Sequence, residues 1–134
     1  MGYKPLLLTF AFITGIVLTA CEKEPGKGGS SAISGRVIVR QYNANFTILV
    51  EQYEATDENV FIVYGGDDIY GDKTSTNYDG TFRFDYLRKG EYTVYAYSED
   101  SANYPSQREI PVMYTVKVTD NKQEIKVPDI IILK

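Results

Sequence analysis

The chain has 134 residues, one cysteine, no histidine, no tryptophan and a net charge of −4 at neutral pH. That length accommodates one ordinary domain and not two, and an acidic chain without a Lys/Arg run speaks against a nucleic-acid partner. Without histidine neither a Ser-His-Asp nor a Cys-His arrangement can form, and one cysteine gives no internal disulfide framework, so the fold must hold by packing alone.

Residues 1–21 come first. Lys4 supplies a positive start, and residues 6–20 form an apolar run broken only by Thr9, Thr14, Gly15 and Thr19. This run falls short of the roughly 20 residues a membrane-spanning helix needs; its order of positive, apolar and small residues predicts a cleaved signal peptide. The segment ends Leu18-Thr19-Ala20-Cys21. These residues resemble the lipobox of bacterial lipoproteins, in which a signal peptidase cuts before a diacylglyceryl-modified cysteine. The resemblance implies loss of residues 1–20, lipid attachment at Cys21 and a membrane partner through that anchor. An uncleaved anchor helix would ask for a longer apolar run, and an ordinary secretory signal would not ask for cysteine at this position.

Residues 21–31 then read as the lipidated cysteine and a flexible Gly/Ser tether with nothing apolar to pack. Glu22 and Glu24 look like the export signals of surface lipoproteins in some Gram-negative bacteria, which points to the outer membrane and the cell surface. A plain solvated linker is the other reading, and the periplasmic leaflet stays open.

The domain is expected over residues 32–134. Residues 33–40 open it as a strand, and residues 46–53 form either a second strand or an ordered loop. The run Val60, Phe61, Ile62, Val63 reads as a strand covered on both faces. Asp79-Gly80 is a strong hairpin signal. After it Phe82, Phe84 and Tyr86 alternate with polar residues, which places three aromatics on one face. Beyond Lys89-Gly90, Tyr92, Val94 and Ala96 alternate with Thr93, Tyr95 and Tyr97, and Val112, Tyr114, Val116 and Val118 alternate with Met113, Thr115 and Lys117. Residues 125–133 close the domain as one strand, in which Pro128 asks for an edge or a bulge. The pattern predicts an all-β, antiparallel β-sandwich of about seven strands with no helix after residue 21.

Ser34-Gly35-Arg36-Val37, the run from Asn59 to Tyr64, Thr76-Asn77-Tyr78-Asp79-Gly80-Thr81-Phe82-Arg83-Phe84 and Gly90-Glu91-Tyr92-Thr93-Val94 follow one another in an order that resembles the carboxypeptidase regulatory-like domains. That family has a transthyretin-like (prealbumin-like, Ig-like) sandwich. The resemblance covers residues 33 to about 98, and the matching positions are turns and core aromatics. It implies a fold, and a non-catalytic role as stalk, spacer or binding module. The stretch between residues 40 and 58 departs from the pattern as an insertion.

Chemistry is sparse. Asp67, Asp68 and Asp72 share one loop, with Asn77 and Asp79 in the next turn, and oxygen-rich loops can hold calcium; Asp and Asn also form turns for local reasons. Glu51, Glu54, Asp57 and Glu58 could supply a glycosidase pair only if a cleft stood around them. No cofactor is expected. Tyrosine is abundant, and Tyr95 and Tyr97 point away from the core face of their strand, where they could contact a protein or carbohydrate. The other reading packs those rings beneath the 40–58 insertion. Two expectations follow: a non-enzymatic, lipid-anchored envelope module, or a structural or accessory subunit of a fimbria-like or nutrient-uptake assembly that exchanges an edge strand, with residues 125–133 the candidate.

Overall fold

The computed structural model describes residue 2 and residues 23–134, so the signal segment and Cys21 lie outside the described residues. Nine strands follow in order: β1 (Lys27–Tyr42), β2 (Leu49–Glu54), β3 (Asn59–Tyr64), β4 (Asp72–Ser75), β5 (Thr81–Leu87), β6 (Gly90–Glu99), β7 (Glu109–Val118), β8 (Glu124–Lys126) and β9 (Ile130–Leu133). A single 3-10 turn, Ser101–Asn103, is the only helical element among the described residues. The strands form two sheets packed as a β-sandwich, one built on β1 and the other ordered β4-β3-β6-β7.

β1 is the spine of its sheet. The Val37 N–H donates to Gly80 O at 2.9 Å, and the Val37 C=O accepts from Ala55 N at 3.0 Å. Both groups of one extended residue point to the same edge, so β5 and β2 follow one another along that edge. The opposite edge carries β8 and then β9, both parallel to β1. Ile33, Val37 and Val39 of β1 meet Phe82, Phe84, Ile130 and Ile132 within the sheet, and Val60, Ile62, Tyr92, Val94 and Ala96 from the facing sheet; all are buried. The ion pairs among the described residues lie at the surface, where solvent screens them and each adds little. Apolar burial, at roughly 1.5–3 kcal/mol per large side chain, decides the fold.

Gly35 shows how tightly that core is closed. It sits opposite Phe82 in the β1–β5 register, and a Cβ there would come within 2.7 Å of both the Phe82 ring and the Val127 methyl. The missing side chain lets one aromatic ring cross the strand.

Several expectations are corrected. The sandwich has nine strands, because the 40–58 insertion forms β2 as a hairpin with β1, β4 pairs with β3, and the single closing strand is two. That closing segment breaks around Pro128 into β8 and β9, and it pairs parallel where an antiparallel partner was expected. Ordered structure starts at Lys27 rather than Ala32, within the stretch whose Gly/Ser composition suggested a tether. The backbone there is paired with β5, and Ser31 is buried with its hydroxyl donating to Asp120 O at 2.7 Å. Tyr86 is 72% exposed and not a core aromatic. Its φ of +59° marks an irregularity that breaks the alternation, and Leu87 takes the inward position.

A buried hydroxyl ties the two ends of the design together. Tyr92 is fully buried; its oxygen accepts from Gly26 N at 2.8 Å and donates to Arg88 O at 2.7 Å. One phenol thereby fixes the entering chain and the β5–β6 turn, in the manner of a tyrosine corner.

Two stability predictions follow from these contacts. Gly35→Ala forces Phe82 and Val127 apart and should cost about 1–3 kcal/mol, read from urea unfolding. Tyr92→Phe keeps the ring but strands the buried Gly26 N–H, and should cost about 1–3 kcal/mol with little change in the slope of unfolding against urea. A third concerns pH. Hydrogen bonds from the Thr81 hydroxyl and N–H hold the Asp79 carboxyl below its ordinary range, and the hydrogen bond from Arg36 does the same for Asp129. A depressed carboxyl stabilises fully above its unfolded value, near 3.9, and loses that contribution as pH falls through the lower folded value. Urea midpoints should therefore fall in acid, and Asp79→Asn and Asp129→Asn should each make the fall shallower.

Candidate aromatic face

The alternation of β6 places Tyr92, Val94 and Ala96 in the core and Thr93, Tyr95 and Tyr97 on the outer face of the second sheet. Register then brings partners beside them. Phe61 of β3 lies opposite Tyr95, which lies opposite Met113 of β7, and Lys73 of β4 lies opposite Phe61. The Phe61 and Tyr95 rings stack with centroids 5.0 Å apart and planes at 16°. Tyr97 meets Phe61 at 5.6 Å and Tyr95 at 5.5 Å, both edge-on. From the β3–β4 loop, Tyr70 closes on the other side of Phe61 at 4.9 Å.

The product is a four-ring cluster centred on Phe61, on a sheet whose other face is the core. Tyr70 and Tyr97 remain 45% and 40% exposed, and Met113, opposite Tyr95, extends the apolar surface beside them. Thr93 and Thr115 share a hydroxyl–hydroxyl hydrogen bond of 2.9 Å one step along β6 and β7, so polar groups adjoin the rings. Burial, and then the neighbouring Tyr97 phenol, push the Tyr95 phenol above its ordinary value.

Tyr95 and Tyr97, expected as contact residues, are thus brought together. The 40–58 insertion does not cover them, because β2 joins the opposite sheet. Phe61 and Tyr70 were missed as members. Phe61 lay hidden in a run that read as covered on both faces, whereas only Val60 and Ile62 are fully buried. The sole sequence signal for Phe61 was its place between those two inward residues. Tyr70 lies in a loop and carried no pattern. Of the other turn tyrosines, Tyr64 packs edge-on against Tyr92, Tyr104 against Phe46, and Tyr78 stands 85% exposed.

The carboxylates do not assemble. Among the described residues no three metal-ligating side chains converge. Asp72 pairs with Lys27 at 2.9 Å, while Asp67 and Asp68 are exposed in the β3–β4 loop. Glu54 faces Arg36 and Glu58 faces Lys134 in separate surface ion pairs, and neither Glu51 nor Asp57 joins an ion pair among the described residues.

No protein-family model matches the chain, and no curated protein matches it. Among solved structures, a Pseudomonas aeruginosa protein provisionally described as carbohydrate-binding is 16% identical, with a TM-score of 0.48 over 81% of this chain and 91% of its own. (S)-Allantoin synthase is 13% identical, with a TM-score of 0.38 over 78% of this chain and 42% of its own. Both are likenesses of β architecture and carry nothing about a ligand.

Proposed function

We propose that this chain is a non-enzymatic binding module of the bacterial cell envelope, anchored by lipid at Cys21 on the outer-membrane surface, whose aromatic face takes carbohydrate. The observation that carries the reading is the contiguous cluster of Phe61, Tyr70, Tyr95 and Tyr97 on the outer face of a rigid sheet. A pyranose presents an apolar C–H face that suits the negative face of an aromatic ring, while its hydroxyls seek donors and acceptors at the rim. Here the rim offers the Tyr95 and Tyr97 phenols and the Thr93–Thr115 pair. Two-torsion aromatic side chains, already packed on one another, lose little entropy on binding.

The rest of the reading rests on sequence. The lipobox resemblance supports the anchor, and the resemblance to carboxypeptidase regulatory-like domains supports a module that binds or spaces rather than catalyses. A chain without histidine, whose one thiol goes to lipid, has few groups for nucleophilic chemistry.

A second reading, as a subunit of an envelope assembly, is favoured by β7. This ten-residue strand pairs with β6 along its whole length and occupies the outer position of its sheet, a better template for strand addition than the short β8 and β9. In-cell crosslinking from an exposed β7 position such as Met113 would return a defined partner on that reading.

The carbohydrate reading predicts that neutral polysaccharides retard the protein in affinity gels, and that Tyr97→Ala and Tyr70→Ala each weaken binding by roughly tenfold. Both side chains are substantially exposed, so melting temperatures should move little. Retention of full binding by the double variant would overturn the assignment of this face.

A further inference from the structure

The end of the sandwich at which the chain enters has a different character from the aromatic face. A groove of about 620 Å³ opens there, lined by Lys23, Arg88, Lys89 and Lys117 together with Gly28, Asn121 and neighbouring backbone, and among the described residues no carboxylate lines it. In a chain with 14 basic and 18 acidic residues, four basic side chains around one concavity run against the overall charge.

Arg88 is the built part of this groove. Its backbone is clamped on both sides: its N–H donates to Gly26 O at 2.9 Å, and its C=O accepts from the Tyr92 hydroxyl. The guanidinium lies against Gly28, where a Cβ would come within 2.6 Å of Nη2. Its Nε is buried without a hydrogen-bond partner. The contrast with Arg36 and Arg83 is informative, because each of those holds two carboxylates. Among the described residues no carboxylate pairs with the Arg88 guanidinium, and a cation held in place without one favours an anion beside it. Its planar fork suits the oxygens of phosphate, and Lys89 and Lys117 add point charges.

We propose that the Arg88 groove binds a phosphate group, and that a lipid head group is its source. The source rests on the lipid-anchored reading above. Lys23 lines the groove, and two residues of chain span at most about 7 Å, so a lipid on Cys21 would hold the groove within reach of head-group phosphates. Neighbouring basic side chains at a membrane surface add to such an attraction.

The test uses the full chain purified from membranes in a nonionic detergent. Its intact mass reports the lipid on Cys21 independently of the groove. Backbone amide resonances are then followed while dihexanoyl phosphatidylglycerol, dihexanoyl phosphatidylcholine or inorganic phosphate is added. Saturable shifts at Arg88, Lys89, Gly90 and Thr119 with phosphatidylglycerol, exceeding those with phosphatidylcholine, support the proposal. Saturation by inorganic phosphate alone supports the phosphate site and overturns the head group as its source. Arg88→Gln and Lys117→Gln should each weaken binding at least tenfold, while Arg108→Gln, the same charge change near the far end of β6, should not. Lys117 is on the exposed face of β7, so its variant keeps the test sound if Arg88→Gln disturbs the turn. Absence of saturable shifts with every probe, or equal affinity in both groove variants, overturns the site whatever the mass shows.

Discussion

The architecture depends on β1 having both edges occupied along most of its length. Its N-terminal half is held by β5 and β8, its C-terminal half by β2 and β9. A strand so placed can have no proline where the ladder needs a donor, and residues 27–42 contain none. It must also admit the Phe82 ring from across the pair, which Gly35 allows by having no side chain. Because four strands take their register from this one, a slip of one residue would turn Ile33, Val37 and Val39 out of the core together. The parallel return of β8 and β9 is part of the same constraint, since they seal the edge that β2 and β5 leave open.

The second sheet owes its position to Tyr92. Its ring fills the core between the sheets, and its hydroxyl secures both Gly26 and Arg88. That hydrogen bond fixes where β6 begins, and period two does the rest: once Tyr92 points inward, Tyr95 and Tyr97 must point outward. The same bond holds the Arg88 backbone at the rim of the basic groove. One buried phenol therefore sets the location of two surface features of opposite chemistry.

How much of this was legible in the sequence follows from which physical signals are local. Alternation on β6 and β7 and the Asp79-Gly80 turn are local, and their strands stand where expected. Gly80 takes φ +77° in that turn. Tyr86 was misread because a backbone irregularity reverses alternation without leaving a compositional mark. The start of β1 was misread because Gly and Ser look like tether until a partner strand supplies their hydrogen bonds, and that partner, Leu87, lies 60 residues from Lys27 and 56 from Ser31. The parallel pairing of β8 and β9 was equally hidden, since pairing sense is a property of two distant segments. Within the aromatic face, the outward tyrosines could be read from β6 alone. Phe61 and Tyr70 could not be assigned, because one needs the β3–β6 register and the other a loop folded back over it.

The placement of the two surfaces bears on what kind of carbohydrate the face would meet. Tyr97 lies seven residues along β6 from Gly90, which is roughly 24 Å of extended strand. With Gly26 bound by Tyr92, a lipid on Cys21, as proposed, would tether the domain within about 18 Å of that point. The entry pole would then sit at the head groups, with Tyr95 and Tyr97 above it and the β3–β4 loop of Tyr70 beside it, where Gly65 N–H donates to Glu91 O. The cluster is not a pocket that encloses one small sugar, because its rings lie on a broad sheet face with Met113 exposed beside Tyr95. On the proposed carbohydrate reading, an open aromatic face suits several successive residues of an extended polymer, each contributing weakly. That reading therefore favours a polysaccharide lying across the strands over a monosaccharide.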